Sequence, residues 1–449
     1  MFTYIKLKNF MSFKDVEVDF RSGSKGAKKF ISIYGENGSG KSNFVNAINL
    51  LYKSADSFRT LGVDEKIKEL VSGKEFPEDL LEFLINDVNI LKYVKTCRML
   101  ECEEDTSVEY GFRYKGYEGY YSFSFTDRFV HEKLYYYTGK QRGVLFEVNC
   151  AEDGTITPEF SAKIFQNKKV QEELRDELDK YWGKHTLLSI LTKERREKNE
   201  QYIKTNYLKY LFYIIDMLED TAIHYNSTSL IGYEIDAREP KNLLQNLKEG
   251  KINLAEEELL NRSERILRDF FTQAYADIKD VFYERRVEET EIYYKLYVKK
   301  MIGEKVRTVD FGRESGGTQK ILEIVRALLG AFCGVTVVYD EIDNGIHDLL
   351  LKNIIMSMMD DITGQLIITT HNTFLLESID IKSAYIINVD YQGNKEIKSL
   401  DKYPRIQGTN NPRRMYLKGL FGGVPMTDTL DYEAILSELV DDTDVEGGE

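Results

Sequence analysis

Residues 30–51 restrict the possible folds more than any other stretch of the chain. The apolar run Phe30-Ile31-Ser32-Ile33-Tyr34 leads into Gly35-Glu36-Asn37-Gly38-Ser39-Gly40-Lys41-Ser42, which fits the pattern G-x-x-x-x-G-K-S/T. The pattern needs a strand before it and a helix after it. Phe44, Val45, Ile48 and Leu51 supply helical spacing from about Lys41 onward. Glycines let the backbone curl until successive N–H groups converge on phosphate oxygens. The helix N-terminus adds a favourable dipole. Lys41 offers a point charge to β- and γ-phosphates, and the Ser42 hydroxyl is placed to ligate Mg2+. The candidate nucleotide-binding residues are therefore Gly35, Asn37, Gly38, Ser39, Gly40, Lys41, Ser42 and Asn43.

A second signal stands far along the chain. The apolar strand Val335–Tyr339 ends in Asp340-Glu341. An Asp at the C-terminal end of a strand beside a phosphate loop can hold Mg2+, usually through its water shell. The Glu just beyond it can polarise an attacking water as general base. Asp340 and Ser42 are thus the candidate metal ligands, and Glu341 and Lys41 are candidate catalytic residues. Two further pieces belong to the same constellation. Glu314-Ser315-Gly316-Gly317-Thr318-Gln319 opens a helix before the acidic strand, and His371 closes the strand Leu366–Thr370.

With these stretches in place the chain resembles the ABC-type ATPase superfamily. More closely it is similar to the SMC-like, overcoming-lysogenization-defect-like branch. The resemblance rests on LKNFMSFKDVEVDF and ISIYGENGSGKSNFVNAI near the start and on SGGTQK, VVYDEIDNGIH and IITTHNTFLL later. It implies an α/β fold: a P-loop ABC/SMC-like ATPase head with a mixed sheet, split by a large helical insertion. ATP and Mg2+ are the implied ligands. The resemblance also implies that Ser315, Gly316 and Gly317 bind the γ-phosphate held by a second copy, so that two heads sandwich two nucleotides as a homodimer. It makes His371 a catalytic switch residue sensing the γ-phosphate.

The chain departs from the branch in four places. Glu314 and Thr318 stand at the first and fifth positions of the usual LSGGQ signature. No glutamine precedes Gln141, so the expected glutamine loop has no obvious counterpart. His347 occupies the place of the dimer-loop Asp, a role open to Asp343 or Asn344. Met11 stands where many relatives carry an Arg. Near the end, Arg414-Met415-Tyr416-Leu417-Lys418-Gly419-Leu420-Phe421-Gly422-Gly423-Val424-Pro425 resembles the YLxGxFGGxP ending of ATPases from AbiL- and Rlo-type bacterial abortive-infection loci. There a separate small protein is the effector. That resemblance implies a partner effector, a nuclease or toxin, and makes 404–425 a candidate for contact with the partner or with the nucleotide edge.

Residues 1–160 read as the N-terminal half of the head, with the phosphate loop and a β meander over 107–150. Residues 161–280 read as the helical insertion. Residues 281–400 read as the C-terminal half, with the signature, acidic strand and His371. Residues 401–449 form an extension with the Gly/Pro-rich motif and an acidic tail. Residues 62–100 are predicted mainly helical, broken at Ser72-Gly73 and Pro77. A helix is predicted over about Gly317 to Leu329, and a hairpin around Gln392-Gly393-Asn394.

Composition narrows the function. The chain has 449 residues, a net charge of −14 and 42% apolar residues, enough for a packed core. The acidic balance argues against coating nucleic acid by bulk electrostatics. No apolar run is long enough for a transmembrane helix, no membrane partner is expected, and the N-terminus lacks a secretory pattern. Cys97, Cys102, Cys150 and Cys333 form no CxxC pair. They read as small, partly buried thiols in a reducing cytoplasm, with zinc held by Cys97, Cys102 and a His as the alternative. His131, His185 and His224 have no motif around them.

Three functions follow from these features. The first is an ATPase that senses infection and controls a separate effector in bacterial anti-phage defence. The second is a DNA-handling repair or recombination ATPase acting with a nuclease. That class needs long coiled-coil arms or a basic DNA path, and neither is visible. The third is a transporter subunit, which the large insertion and missing glutamine loop disfavour.

Overall fold

The computed structural model describes residues 1–23, 26–63, 66, 85, 88–137, 142–225, 243–404, 411–424, 431, 432 and 436. The predicted break at 72–77, the connection around Pro240, Pro425 and the acidic tail lie outside them.

A hairpin of β1 (Phe2–Phe10) and β2 (Phe13–Asp19) opens the chain. A short ribbon of β3 (Arg21–Ser22) and β4 (Gly26–Ala27) leads to β5 (Phe30–Tyr34), and α1 (Lys41–Ala55) follows the glycine-rich loop. After α2 (Ile90–Thr96), the aromatic-rich stretch forms the antiparallel strands β6 (Thr106–Tyr114), β7 (Tyr117–Phe125), β8 (Phe129–Tyr137), β9 (Arg142–Cys150) and β10 (Ile156–Phe160). These extend the opening hairpin into a seven-stranded sheet ordered β10-β9-β8-β7-β6-β1-β2. Period-two alternation puts Tyr110, Tyr121, Phe123, Leu134 and Phe146 on its buried face, in one core with Phe44, Val45 and Ile48 of α1.

Helices α3 (Lys168–Tyr181), α4 (Leu187–Glu197), α5 (Glu200–Asn206) and α6 (Tyr213–Glu219) follow. The helical reading of 168–280 is then interrupted twice. Strand β11 (Thr221–His224) runs parallel to a later strand at the edge of the central sheet, and β12 (Glu249–Asn253) joins another sheet. Both are too short for a two-residue period to stand out beside the long helices around them. The second of these is α7 (Glu257–Ala274). Next come β13 (Ile278–Glu288), β14 (Glu291–Ile302) and β15 (Lys305–Asp310), which with β12 make a four-stranded antiparallel sheet.

The remaining elements complete the central sheet: α8 (Gly316–Phe332), β16 (Thr336–Tyr339), α9 (Asp348–Met358), β17 (Gln365–Thr369), β18 (Ala384–Val389), β19 (Lys395–Ser399) and α10 (Pro412–Leu417). Its order is β11-β16-β17-β5-β18-β19, all neighbours parallel except the β18–β19 hairpin. The fold is therefore α/β with a mixed sheet. Strand β5, from the start of the chain, is inserted between β17 and β18, from its end.

Both faces of this sheet are covered, which is why its strands read as continuous apolar runs. Ile31, Ile33, Val338 and Ile367 point into the core shared with α1. Phe30, Tyr34, Val337, Tyr339, Leu366 and Ile368 point into a second core with α8 and α9. Each such buried side chain contributes about 1.5–3 kcal/mol. The buried Gln365 amide ties the layers together: it accepts from Phe2 N–H at 2.7 Å and donates to the Phe2 and Lys28 carbonyls, each at 2.9 Å.

Candidate functional site

The loop between β5 and α1 has the conformation its glycines anticipate. Gly38 and Gly40 have φ of +78° and +111°, a region that side chains rarely adopt. A β-carbon on Gly40 would come 3.0 Å from Phe13 and 3.1 Å from Ser12 Oγ; one on Gly35 would come 2.5 Å from Ser39 Oγ. Lys41 is buried, and its Nζ donates to the carbonyls of Gly35 (2.9 Å) and Glu36 (3.0 Å), inside the curl of the loop. Burial lowers the Lys41 pKa, while Glu341, Asp340 and Asp343 raise it. Ser39 Oγ is buried with no hydrogen-bond partner among the described residues. An orphaned buried hydroxyl inside a cradle too tight for β-carbons fits a phosphate group. Asn37 is exposed, and Asn43 donates to Ser12 Oγ at 2.7 Å.

The acidic pair comes to the same place because β16 lies next but one to β5. The Asp340 carboxylate accepts a hydrogen bond from Thr369 Oγ1 at 2.6 Å. Burial pushes its pKa up, and the Thr369 and Ser42 hydroxyls oppose that. A carboxylate and a hydroxyl are hard oxygen donors suited to Mg2+, which takes one or two carboxylates plus substrate phosphates. Glu341 has φ of +49° and donates its backbone N–H to Thr369 Oγ1 at 2.7 Å. His371 donates its backbone N–H to the Asp343 carboxylate at 3.0 Å and 3.2 Å. Although His371 keeps contact with solvent, partial desolvation by its neighbours, reinforced by the Lys41 cation, lowers its imidazole pKa and favours its neutral form. Lys41, Ser42, Asp340, Glu341 and His371 are thus gathered into one electrostatic neighbourhood.

Ser315, Gly316 and Gly317 stand outside it. Ser315 caps α8: its Oγ accepts from Thr318 N–H at 3.2 Å and lies 2.8 Å from Thr318 Oγ1. Thr318, the departure at the fifth signature position, therefore braces the cap. Glu314 is buried and paired with Lys300 at 2.9 Å. Ser315 and Gly316 are exposed, and a β-carbon on Gly317 would come 2.7 Å from the Gly345 carbonyl. The signature turn rests on the loop that follows the acidic pair. Asp343 is bonded to His371, and His347 caps α9 by accepting from Leu349 N–H.

Two contributors were not recognised from sequence. Thr369 touches both acidic residues; its only signal is a hydroxyl at the last position of an apolar strand. Lys395 of β19 donates to the Gly38 carbonyl at 2.9 Å. The Gly-rich ending folds onto the loop: Gly423 has φ of +68°, Tyr416 OH donates to its carbonyl at 2.7 Å, and the Tyr34 and Tyr416 rings lie 6.0 Å apart. Cys97 is buried and Cys102 half-buried. No group of three His, Cys, Asp or Glu side chains able to hold a metal occurs among the described residues, so the zinc reading finds no third ligand.

A family model described as AAA domain matches residues 4–267, more than half of the chain. No curated protein matches in sequence. Among solved structures, the chain is similar to the SMC head domain from Thermotoga maritima, with 14% identity, 89% of this chain and 98% of that chain covered, and a TM-score of 0.38. It is also similar to an SMC head bound to the C-winged helix domain of ScpA, with 16% identity, 89% and 99% covered, and a TM-score of 0.44. A third is an Smc head with an extended coiled coil bound to the C-terminal domain of ScpA from Pyrococcus furiosus, with 16% identity, 89% and 97% covered, and a TM-score of 0.41. Among the described residues, no helix is long and apolar enough to cross a membrane.

Proposed function

The chain belongs to the AAA domain family, and on that premise we propose that it is a Mg2+-dependent ATPase converting ATP and water to ADP and phosphate. The observation that carries this reading is the convergence of Lys41, from the glycine-rich loop, with Asp340, Glu341 and His371, from the ends of β16 and β17, in one electrostatic neighbourhood. The loop N–H groups and Lys41 bind the phosphates, and Ser39 Oγ gains a partner there. Ser42 and Asp340 hold Mg2+, which neutralises charge on the phosphate oxygens. Glu341 takes a proton from the attacking water. Neutral His371 stays near the γ-phosphate without adding fixed charge.

We further infer that the chain works as a homodimer with two nucleotides between two heads. Exposure of Ser315 and Gly316 at the N-terminus of α8 supports this: a cap open to solvent is accessible to a phosphate held by another molecule. Residues 1–160 and 281–400 supply most of the head, 161–280 adds strands β11 and β12 to its sheets besides its inserted helices, and 401–449 is an extension. In the resulting cytoplasmic system, ATP state regulates a separate nuclease or toxin in anti-phage defence. The Arg414–Pro425 motif and the net charge of −14 support this over a DNA-handling role.

The test is phosphate release from ATP and Mg2+ by the full chain and by Lys41→Ala. The reading expects turnover in the first and loss of both ATP binding and turnover in the second. Equal ATP affinity in the two contradicts it.

A further inference from the structure

We propose that Thr369 is the positioning residue that sets the acidic pair, Asp340 and Glu341, in working geometry; the proposal rests on the ATPase reading above. One hydroxyl has two partners. Thr369 Oγ1 donates its single proton to Asp340 Oδ1 at 2.6 Å, which leaves a lone pair to accept the Glu341 N–H at 2.7 Å. The backbone carbonyl of the same residue accepts the Ile342 N–H at 3.2 Å. The whole turn from Asp340 to Ile342 is therefore laced to one residue of β17.

Burial makes these bonds hard to replace. Thr369 is 0% and Asp340 5% exposed, so water has little room to substitute for a lost partner. Glu341 is a non-glycine residue in the left-handed region, a conformation that persists only where its surroundings hold it. Its N–H bond to Thr369 is one such restraint. The Ser42 hydroxyl favours the charged form of the same Asp340 carboxylate, whose orientation the Thr369 bond sets. Two residues beyond Thr369, the His371 N–H is held by Asp343 from the same acidic turn. The strand end and the turn are thus tied in both directions.

Thr369→Val keeps the shape and removes the hydroxyl, leaving a buried carboxylate oxygen and a buried amide unmatched. Thr369→Ser keeps the hydroxyl and removes the methyl. The experiment measures affinity of the full chain for a fluorescent ATP analogue, with and without Mg2+, and single-turnover ATP hydrolysis. Thr369→Val is expected to bind the analogue without Mg2+ as wild type does, to lose the Mg2+ enhancement of binding, and to hydrolyse ATP about 10- to 100-fold more slowly. Thr369→Ser is expected to restore the Mg2+ enhancement and most of the rate. The proposal is overturned if Thr369→Val keeps the wild-type Mg2+ enhancement, if Thr369→Ser falls as far as Thr369→Val, or if wild-type binding is indifferent to Mg2+. A wild type that binds with Mg2+ enhancement but never hydrolyses ATP overturns the ATPase reading instead, and the binding data still decide the role of Thr369.

Discussion

Gly423 lies directly against Gly35: a β-carbon on Gly423 would come 3.6 Å from Gly35 Cα, 3.0 Å from the Ile387 carbonyl and 2.7 Å from Ile386 Cγ2. The first glycine of the candidate phosphate loop and the last glycine of the C-terminal motif share one packing site. Gly423→Ala therefore meets both a positive φ and tight contacts with Ile386 and Ile387 of β18. It is expected to cost about 1–3 kcal/mol of stability and to weaken ATP binding, because β18 pairs with β5, the strand that leads into the loop. Thermal unfolding and nucleotide titration of the same variant check this. An unchanged ATP affinity would separate the motif from the site.

Ser315→Arg places a long cation on an exposed cap that makes no hydrogen bond to its own loop. Hydrolysis is expected to stop, while ATP binding by the isolated monomer stays at the wild-type level. If monomer binding drops in step with hydrolysis, the signature acts within one chain and the two-copy reading is wrong.

Stability is expected to fall on acidification below about pH 6.5, the ordinary histidine value. His185 is buried, its Nδ1 lies in hydrogen-bond contact with Ser57 Oγ at 2.9 Å, and its ring stacks on Phe58 at 4.2 Å. Burial pushes its pKa down to about 4, and the same cause brings His224 to about 4. The folded pKa lies below the unfolded one, so the unfolded chain binds more protons between about pH 4 and 6.5. Stability is complete above that window and declines through it, by about 2 kcal/mol per histidine at pH 5. Denaturant titrations at pH 7 and pH 5 on wild type and His185→Gln measure it: the variant should lose less than wild type between the two. Equal losses would mean that His185 does not carry the dependence.

The parts legible in sequence were those encoded within a few consecutive residues. The strand–loop–helix at 30–55 could be read because glycine spacing, an apolar run and helical periodicity lie side by side. The acidic strand and the helix after Ser315 were readable for the same reason, although α8 begins one residue before the predicted start and runs to Phe332. Contributors whose role arises only from chain crossings were not readable. Thr369 reaches Asp340 because β16 and β17 pair in parallel, and Lys395 reaches Gly38 because β18 pairs with β5. Gly423 belongs to a motif that was visible, but its seat on Gly35 depends on the fold. Strand β11 was hidden within a helical stretch because four residues carry no usable period.

The central claim is that Glu341 is the base in an ATP-hydrolysing site, and Glu341→Gln tests it most directly. The substitution keeps size and hydrogen-bonding capacity and removes the proton acceptor. Single-turnover hydrolysis and ATP affinity should be measured on the same protein. The account predicts hydrolysis slowed by about 10²- to 10⁴-fold, ATP affinity retained, and a dimer that persists with ATP and Mg2+. Hydrolysis at the wild-type rate in Glu341→Gln would contradict it.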